Sequence, residues 1–230
     1  FYPYLADEID FDSVAGKDVL EVGLGYGSVS QRLAEKGARY TGLDIAAGPV
    51  AGVNHRLKEA GLPGKAIQGS ILQSDFADAS FDVVVAIGCY HHTGNLERAL
   101  DETRRLLRKG GRATIMIYNA TGYTSWIRAP RRTFKYMRDV AMADPAPCSL
   151  VSDKSRGDFD RNSSGVAAPE TVMLSKPHFE RILSRRFSKV SIRRRNAIAH
   201  RPFQFIPRSV VSSTVGPILG LDLYAQVMRG

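Results

Sequence analysis

Three glycines on alternate positions, Gly23, Gly25 and Gly27, stand directly behind the apolar run D-V-L-E-V. A strand that ends in closely spaced glycines lets a ligand approach the main chain and face the N-terminus of the following helix, which suits NAD and other adenosine cofactors alike. The glycines alone do not choose. A dinucleotide turn reads G-x-G-x-x-G/A, whereas here the spacing is two by two and Glu21 precedes it. A carboxylate at Glu21 repels a pyrophosphate and suits a cationic cofactor. Asp44, 17 residues after Gly27, closes the next apolar run, where a carboxylate can accept both hydroxyls of a ribose. His91 and His92 follow a later apolar run; there a histidine can act as a general base, or the pair can cap the loop as scaffold.

The elements that must position these residues follow from periodicity and punctuation. Strands are expected at Val19–Val22, Tyr40–Ile45, Lys65–Gly69, F-D-V-V-V-A-I (81–87) and A-T-I-M-I-Y (113–118). Helices are expected at Ser28–Lys36, near Val53–Ala60 and at Leu96–Arg108, stopped by Gly37, by Gly61 and Pro63, and by Gly110 and Gly111. Five strands alternating with helices call for an α/β, doubly wound, mainly parallel sheet. The alternation stops at Ala120. An irregular, basic, partly helical segment follows, punctuated by Pro130, Pro145, Pro147 and Pro169. A helix Phe179–Arg186 and strands Ser188–Arg194 and Leu221–Met228 then resume the fold. The expected organisation is one domain, 1–230, with a cofactor-side core 1–119, an insert 120–187 and final strands 188–230.

A chain of 230 residues with 43% hydrophobic and 24% charged content has ample material for one core. Cys89 and Cys148 are too few for a disulfide framework, which favours a reducing, cytoplasmic setting. Cys89 reads as core packing. No metal site is expected, because the side chains of neighbouring residues such as His91 and His92 point apart and no ligand spacing accompanies them. The chain starts at Phe1 rather than Met, so an upstream segment is expected to be missing or a tag removed. No signal peptide is visible, and Val210–Val227 is too interrupted to span a bilayer, so a soluble protein without stable membrane insertion is expected.

Four segments in this order resemble the class I S-adenosylmethionine-dependent methyltransferases, in particular the branch of ubiquinone/menaquinone-type small-molecule methyltransferases. They are V-L-E-V-G-L-G-Y-G, G-L-D-I, S-F-D-V-V-V-A-I-G-C-Y-H-H-T and L-L-R-K-G-G-R-A-T-I, and the resemblance covers roughly residues 15–119. It implies a Rossmann-like, seven-stranded sheet and S-adenosyl-L-methionine as cofactor. By position it implies that Gly23, Gly25 and Gly27 line the methionine part, that Asp44 holds the ribose, that Ile45 packs on adenine and that Ile87 offers backbone near the methionine amine. The family often carries an acidic residue after the third strand. Here Q-G-S-I-L places Ser70 there, leaving polar adenine recognition to Ser70 and the backbone at Ile71. Tyr26 either reaches the transferred methyl or covers the turn.

The charge of +9 is unevenly placed: residues 1–120 carry −2, residues 121–210 carry +11 and the remainder is neutral. The basic residues form two groups, Arg128, Arg131, Arg132, Lys135 and Arg138, then Arg185, Arg186, Lys189, Arg193, Arg194 and Arg195. Three readings stand: a solvated face, a site for an anionic or lipid-linked small molecule with walls from Trp126, Phe134, Tyr136 and Phe203, or attraction to RNA phosphates. The expected function is methyl transfer to a small, anionic or amphipathic metabolite by in-line displacement. RNA methylation and cofactor binding without catalysis are the alternatives.

Overall fold

The computed structural model describes residues 5–142, 171–197, 205 and 207–230. Seven strands form one sheet in the order β3-β2-β1-β4-β5-β7-β6. They are β1 (Asp18–Val22), β2 (Arg39–Asp44), β3 (Lys65–Gln68), β4 (Phe81–Ile87), β5 (Leu107–Tyr118), β6 (Lys189–Arg195) and β7 (Asp222–Met228). The first five are parallel; β7 runs antiparallel to both β5 and β6. The order reverses between β1 and β4, which opens a crevice at the carboxyl ends of those two strands.

Alternation along the strands divides the core into two layers. Leu20 and Val22 of β1 and Val84 and Ala86 of β4 join one buried cluster, while Val19, Val83 and Val85 join the other. Both faces are therefore covered, the condition under which parallel strands read as unbroken apolar runs. The covering helices include α2 (Ser28–Glu35), α3 (Ala47–Glu59) and α4 (Leu96–Leu106). Helix α3 starts well before Val53 because Pro49 sits in its first turn, where a missing N–H costs nothing. Strand β5 also starts earlier than residue 113: Gly110, with φ of +77°, turns the chain so that its N–H meets the Arg229 carbonyl at 2.8 Å.

Short elements escaped the periodicity. Helix α1 (Leu5–Glu8) buries Glu8, whose carboxylate accepts from Arg195 Nε at 2.6 Å. Beyond β5 come α5 (Tyr123–Arg128) and α6 (Pro130–Met142), then α7 (Lys176–Ser184), α8 (Arg208–Thr214) and α9 (Gly216–Leu219). Pro145, Pro147, Cys148, Pro169 and Phe203 lie outside the described residues.

Residues 171–175 form a strap across the upper ends of β4 and β5. Val172 N–H donates to the His91 carbonyl at 2.9 Å, and Ala120 N–H donates to the Leu174 carbonyl at 2.9 Å. Leu174 is fully buried. Leu174→Ala is expected to lower stability by about 2–5 kcal/mol in chemical denaturation, the cost of a large-to-small change in a closed core. A loss below about 1 kcal/mol would mean that the strap is not packed.

Candidate functional site

The glycine loop 23–27 sits at the β1 end of the crevice. Asp44, at the tip of β2, accepts from Leu24 N–H at 2.8 Å through Oδ2 and from Ala46 N–H at 2.9 Å through Oδ1. One half-buried carboxylate thus ties the loop after β1 to the loop after β2, and each oxygen retains acceptor capacity. Gly23 has φ of +76°, and a Cβ there would come within 2.4 Å of Cys89 Cβ. No other residue fits that approach. At Gly25, φ of +50°, an added Cβ would meet nothing within 4 Å and would project into the open space beside the loop.

Beside this loop the structure leaves apolar surface bare. Tyr26 is 95% exposed and Ile45 68% exposed. Ser70 is half-buried and its hydroxyl accepts from Leu72 N–H at 3.2 Å; the Ile71 side chain is buried, so only its backbone faces outward chemistry. Ile87 is half-buried at the end of β4. Gly23, Gly25, Gly27, Asp44, Ser70, Ile71 and Ile87 all fall in the loops or strand ends at the carboxyl edge of the sheet. Cys89, half-buried, donates its thiol to the Val22 carbonyl at 3.0 Å, and burial pushes its ionisation far up, so it serves as a neutral spacer.

Glu21 behaves differently from a carboxylate that greets a ligand. It is 4% exposed and lies behind the loop, accepting from Ser30 Oγ at 2.5 Å and Tyr40 Oη at 2.7 Å. Burial raises its pKa to about 7, with the two hydroxyl bonds opposing that rise. Its influence on a cationic group would pass through the loop as a field rather than through contact.

The two histidines separate. His91 is fully buried, its ring 4.2 Å from that of Tyr118 and 4.0 Å from that of His92. Burial, reinforced by the neighbouring ring, holds it neutral well below the usual histidine range. His92 is half-buried, with Nδ1 3.2 Å from Thr171 Oγ1 on the strap. The expectation that neighbouring side chains point apart is corrected here: both residues sit in a 3-10 turn, Tyr90–His92, which swings the two rings together over Tyr118. Among the described residues no three His, Cys, Asp or Glu side chains converge. Tyr118 and Thr171 complete this group: a tyrosine ending the fifth strand is a signal the sequence carries for the first, whereas Thr171 is brought to His92 only by the strap.

The basic groups divide as well. Arg186 is bound by Asp101 at 2.7 Å and Glu97 at 2.8 Å, while Arg193 and Arg195 turn to Glu8. Much of the second group therefore neutralises the acidic core. In the first group Lys135 and Arg138 share Asp139, and Arg128, Arg131 and Arg132 are exposed. Tyr136 is no open pocket wall: it is buried, with Oη 3.1 Å from His178 Nδ1 and accepting from Ser175 N–H at 3.0 Å. Trp126 is half-buried and Phe134 exposed.

Comparison with known proteins adds a family match over part of the chain and a likeness of fold. Residues 20–115 match the family model described as "Methyltransferase domain". The chain is 30% identical over 102 residues to a demethylmenaquinone methyltransferase of Tropheryma whipplei, covering 44% of this chain and 41% of that protein. It is 37% identical over 100 residues to a fatty-acid O-methyltransferase of Mycolicibacterium smegmatis, covering 43% and 36%. The match thus spans less than half the length of these curated relatives. Among solved structures, an S-adenosylmethionine-dependent methyltransferase from Methanosarcina mazei aligns over 100% of this chain and 98% of its own with a TM-score of 0.62 at 16% identity. One from Mesorhizobium loti aligns over 99% and 97%, also at 0.62 and 16%. Both likenesses are of fold.

Because the folded chain holds the Glu21 proton more tightly than the unfolded chain, raising the pH from 4.5 through about 7 removes stability. Measured against Glu21→Gln, the native chain is expected to lose about 1–3 kcal/mol between about pH 5 and pH 8 in denaturation curves. Parallel pH profiles for the two proteins would show that Glu21 is already ionised in the fold.

Proposed function

We propose that this chain, whose residues 20–115 match the methyltransferase-domain family model, is a class I S-adenosylmethionine-dependent methyltransferase that transfers a methyl group to a small amphipathic or anionic acceptor by in-line displacement. The observation that carries the reading is the Asp44 carboxylate, held by Leu24 N–H and Ala46 N–H beside a glycine loop at the reversal of strand order. The residues fit the cofactor. Asp44 retains lone pairs for ribose hydroxyls, the side-chain-free space at Gly25 admits a ligand against main chain, and exposed Ile45 offers an apolar face for a planar base. Gly23 and Gly27 shape the loop, Ser70 with the Ile71 backbone meets the base edge, and Ile87 offers main chain near the methionine end. When bound, S-adenosyl-L-methionine supplies the methyl group as an electrophilic sulfonium.

The chain's own work is then to bind, orient and exclude water. Tyr26, exposed between two glycines, covers the loop mouth. His92, half-buried at the β4 end and held near Thr171, is the better placed of the two histidines to receive a proton from an acceptor hydroxyl. His91, fully buried against Tyr118, positions its neighbour. An amphipathic acceptor is supported by relatives named for quinone, sterol and fatty-acid methylation.

Two outcomes test this. Asp44→Ala is expected to lose about 1.5–3 kcal/mol of affinity for S-adenosylhomocysteine by calorimetry, as for a charge-assisted hydrogen bond; unchanged affinity removes Asp44 from the site. With an acceptor hydroxyl, His92→Gln is expected to cut turnover by roughly a hundredfold while cofactor affinity stays within about twofold. Persisting turnover with a lowered melting temperature makes the pair scaffold.

A further inference from the structure

Helix α6 carries chemistry that the cofactor site does not use. Its inward face is Thr133, Tyr136 and Val140, all buried, and the Tyr136 hydroxyl bonds with His178 and Ser175 clamp that face to the strap and α7. Its outward surface is segregated. Phe134, Met137 and Ala141 recur at helical spacing as an apolar stripe, and beside it Arg131, Lys135 and Arg138 recur as a basic one. Phe134 is 66% exposed and Met137 43% exposed; at the end of α5, Ile127 is 57% exposed. The sequences of α5 and α6 hold five basic residues, Arg128, Arg131, Arg132, Lys135 and Arg138, and one acidic residue, Asp139.

Exposed phenylalanine and methionine cost free energy in water, and a solvated charged face does not need them. An RNA phosphate backbone would use the arginines and leave the apolar stripe bare, whereas an anionic bilayer uses both: headgroups neutralise the basic stripe while the apolar one enters the acyl boundary. We infer that α5 and α6 dock this protein onto an anionic lipid surface, with Phe134, Met137 and Ile127 entering the interface and Arg131, Lys135 and Arg138 at headgroup level. Helix α6 is clamped to the strap that crosses the ends of β4 and β5. Docking through it therefore sets the crevice edge of the sheet close to the membrane, where a lipid-borne acceptor resides. The contact itself does not depend on what reaction the crevice performs. Among the described residues no helix is long and apolar enough to cross a membrane.

The test is co-sedimentation of the full chain with vesicles of phosphatidylcholine alone and of phosphatidylcholine mixed with phosphatidylglycerol, over a range of salt, with and without competing tRNA. The variants are Phe134→Ser with Met137→Ser, and Arg131→Glu with Lys135→Glu; circular dichroism verifies that these surface changes leave the fold intact. Binding is expected only with the anionic vesicles, reduced about tenfold or more by either double variant. Absent binding to both vesicle types, equal binding to both, or loss in the charge variant alone would each overturn the proposal. So would displacement of the vesicles by tRNA with a steep salt dependence, which would assign the same face to nucleic acid.

Discussion

The carboxylate of Asp44 joins two strand ends that the sheet by itself only brings alongside. By accepting one main-chain N–H from the loop after β1 and one from its own loop, it fixes the glycine turn relative to β2. The turn has little freedom to relax elsewhere, because Gly23 lies against Cys89 with no room for a side chain and the Cys89 thiol is spent on the Val22 carbonyl. Below the loop, Glu21, Ser30 and Tyr40 close the same region from the protein interior. The loop at the crevice is therefore held in place by the chain's own contacts, the kind of restraint that lowers the ordering cost of binding.

A second constraint is the strap 171–175. It pairs with the main chain at His91, Tyr118 and Ala120, buries Leu174 and, through the Ser175 N–H, donates to the hydroxyl of Tyr136 on α6. This single short segment thus joins the histidine turn to the amphipathic helix. It also decides the fates of two adjacent residues of the same type: His91 lies under the strap, whereas His92 meets its edge at Thr171.

The fold was legible in the sequence wherever local physics was strong. Parallel strands buried on both faces wrote themselves as V-L-E-V and F-D-V-V-V-A-I, and Gly37 and Gly61 marked helix ends, whereas Gly110 and Gly111 do not stop α4, which ends at Leu106, but lie inside β5. Alternate glycines and Asp44 marked the crevice. Legibility failed where a feature depends on contacts between distant residues. The four-residue α1 and the short α8 and α9 have too few turns to show a period, and the first turns of α3 are composed of Ala, Gly and Pro. That Glu21 turns inward could not be read from its position before the loop, since Ser30 and Tyr40 reach it through space. Nor could the pairing of Arg186, Arg193 and Arg195 with acids of the first hundred or so residues, which converts a conspicuous basic cluster largely into fold electrostatics.

The reading of the crevice as a pocket for S-adenosyl-L-methionine rather than for a pyrophosphate-bearing cofactor stands or falls on ligand choice. Calorimetric titration of the native chain with S-adenosylmethionine, S-adenosylhomocysteine and NAD under one buffer tests it most directly. Saturable binding of the two sulfur ligands, and none of NAD at the same concentrations, is the expected result; binding of NAD in preference to both would overturn the reading.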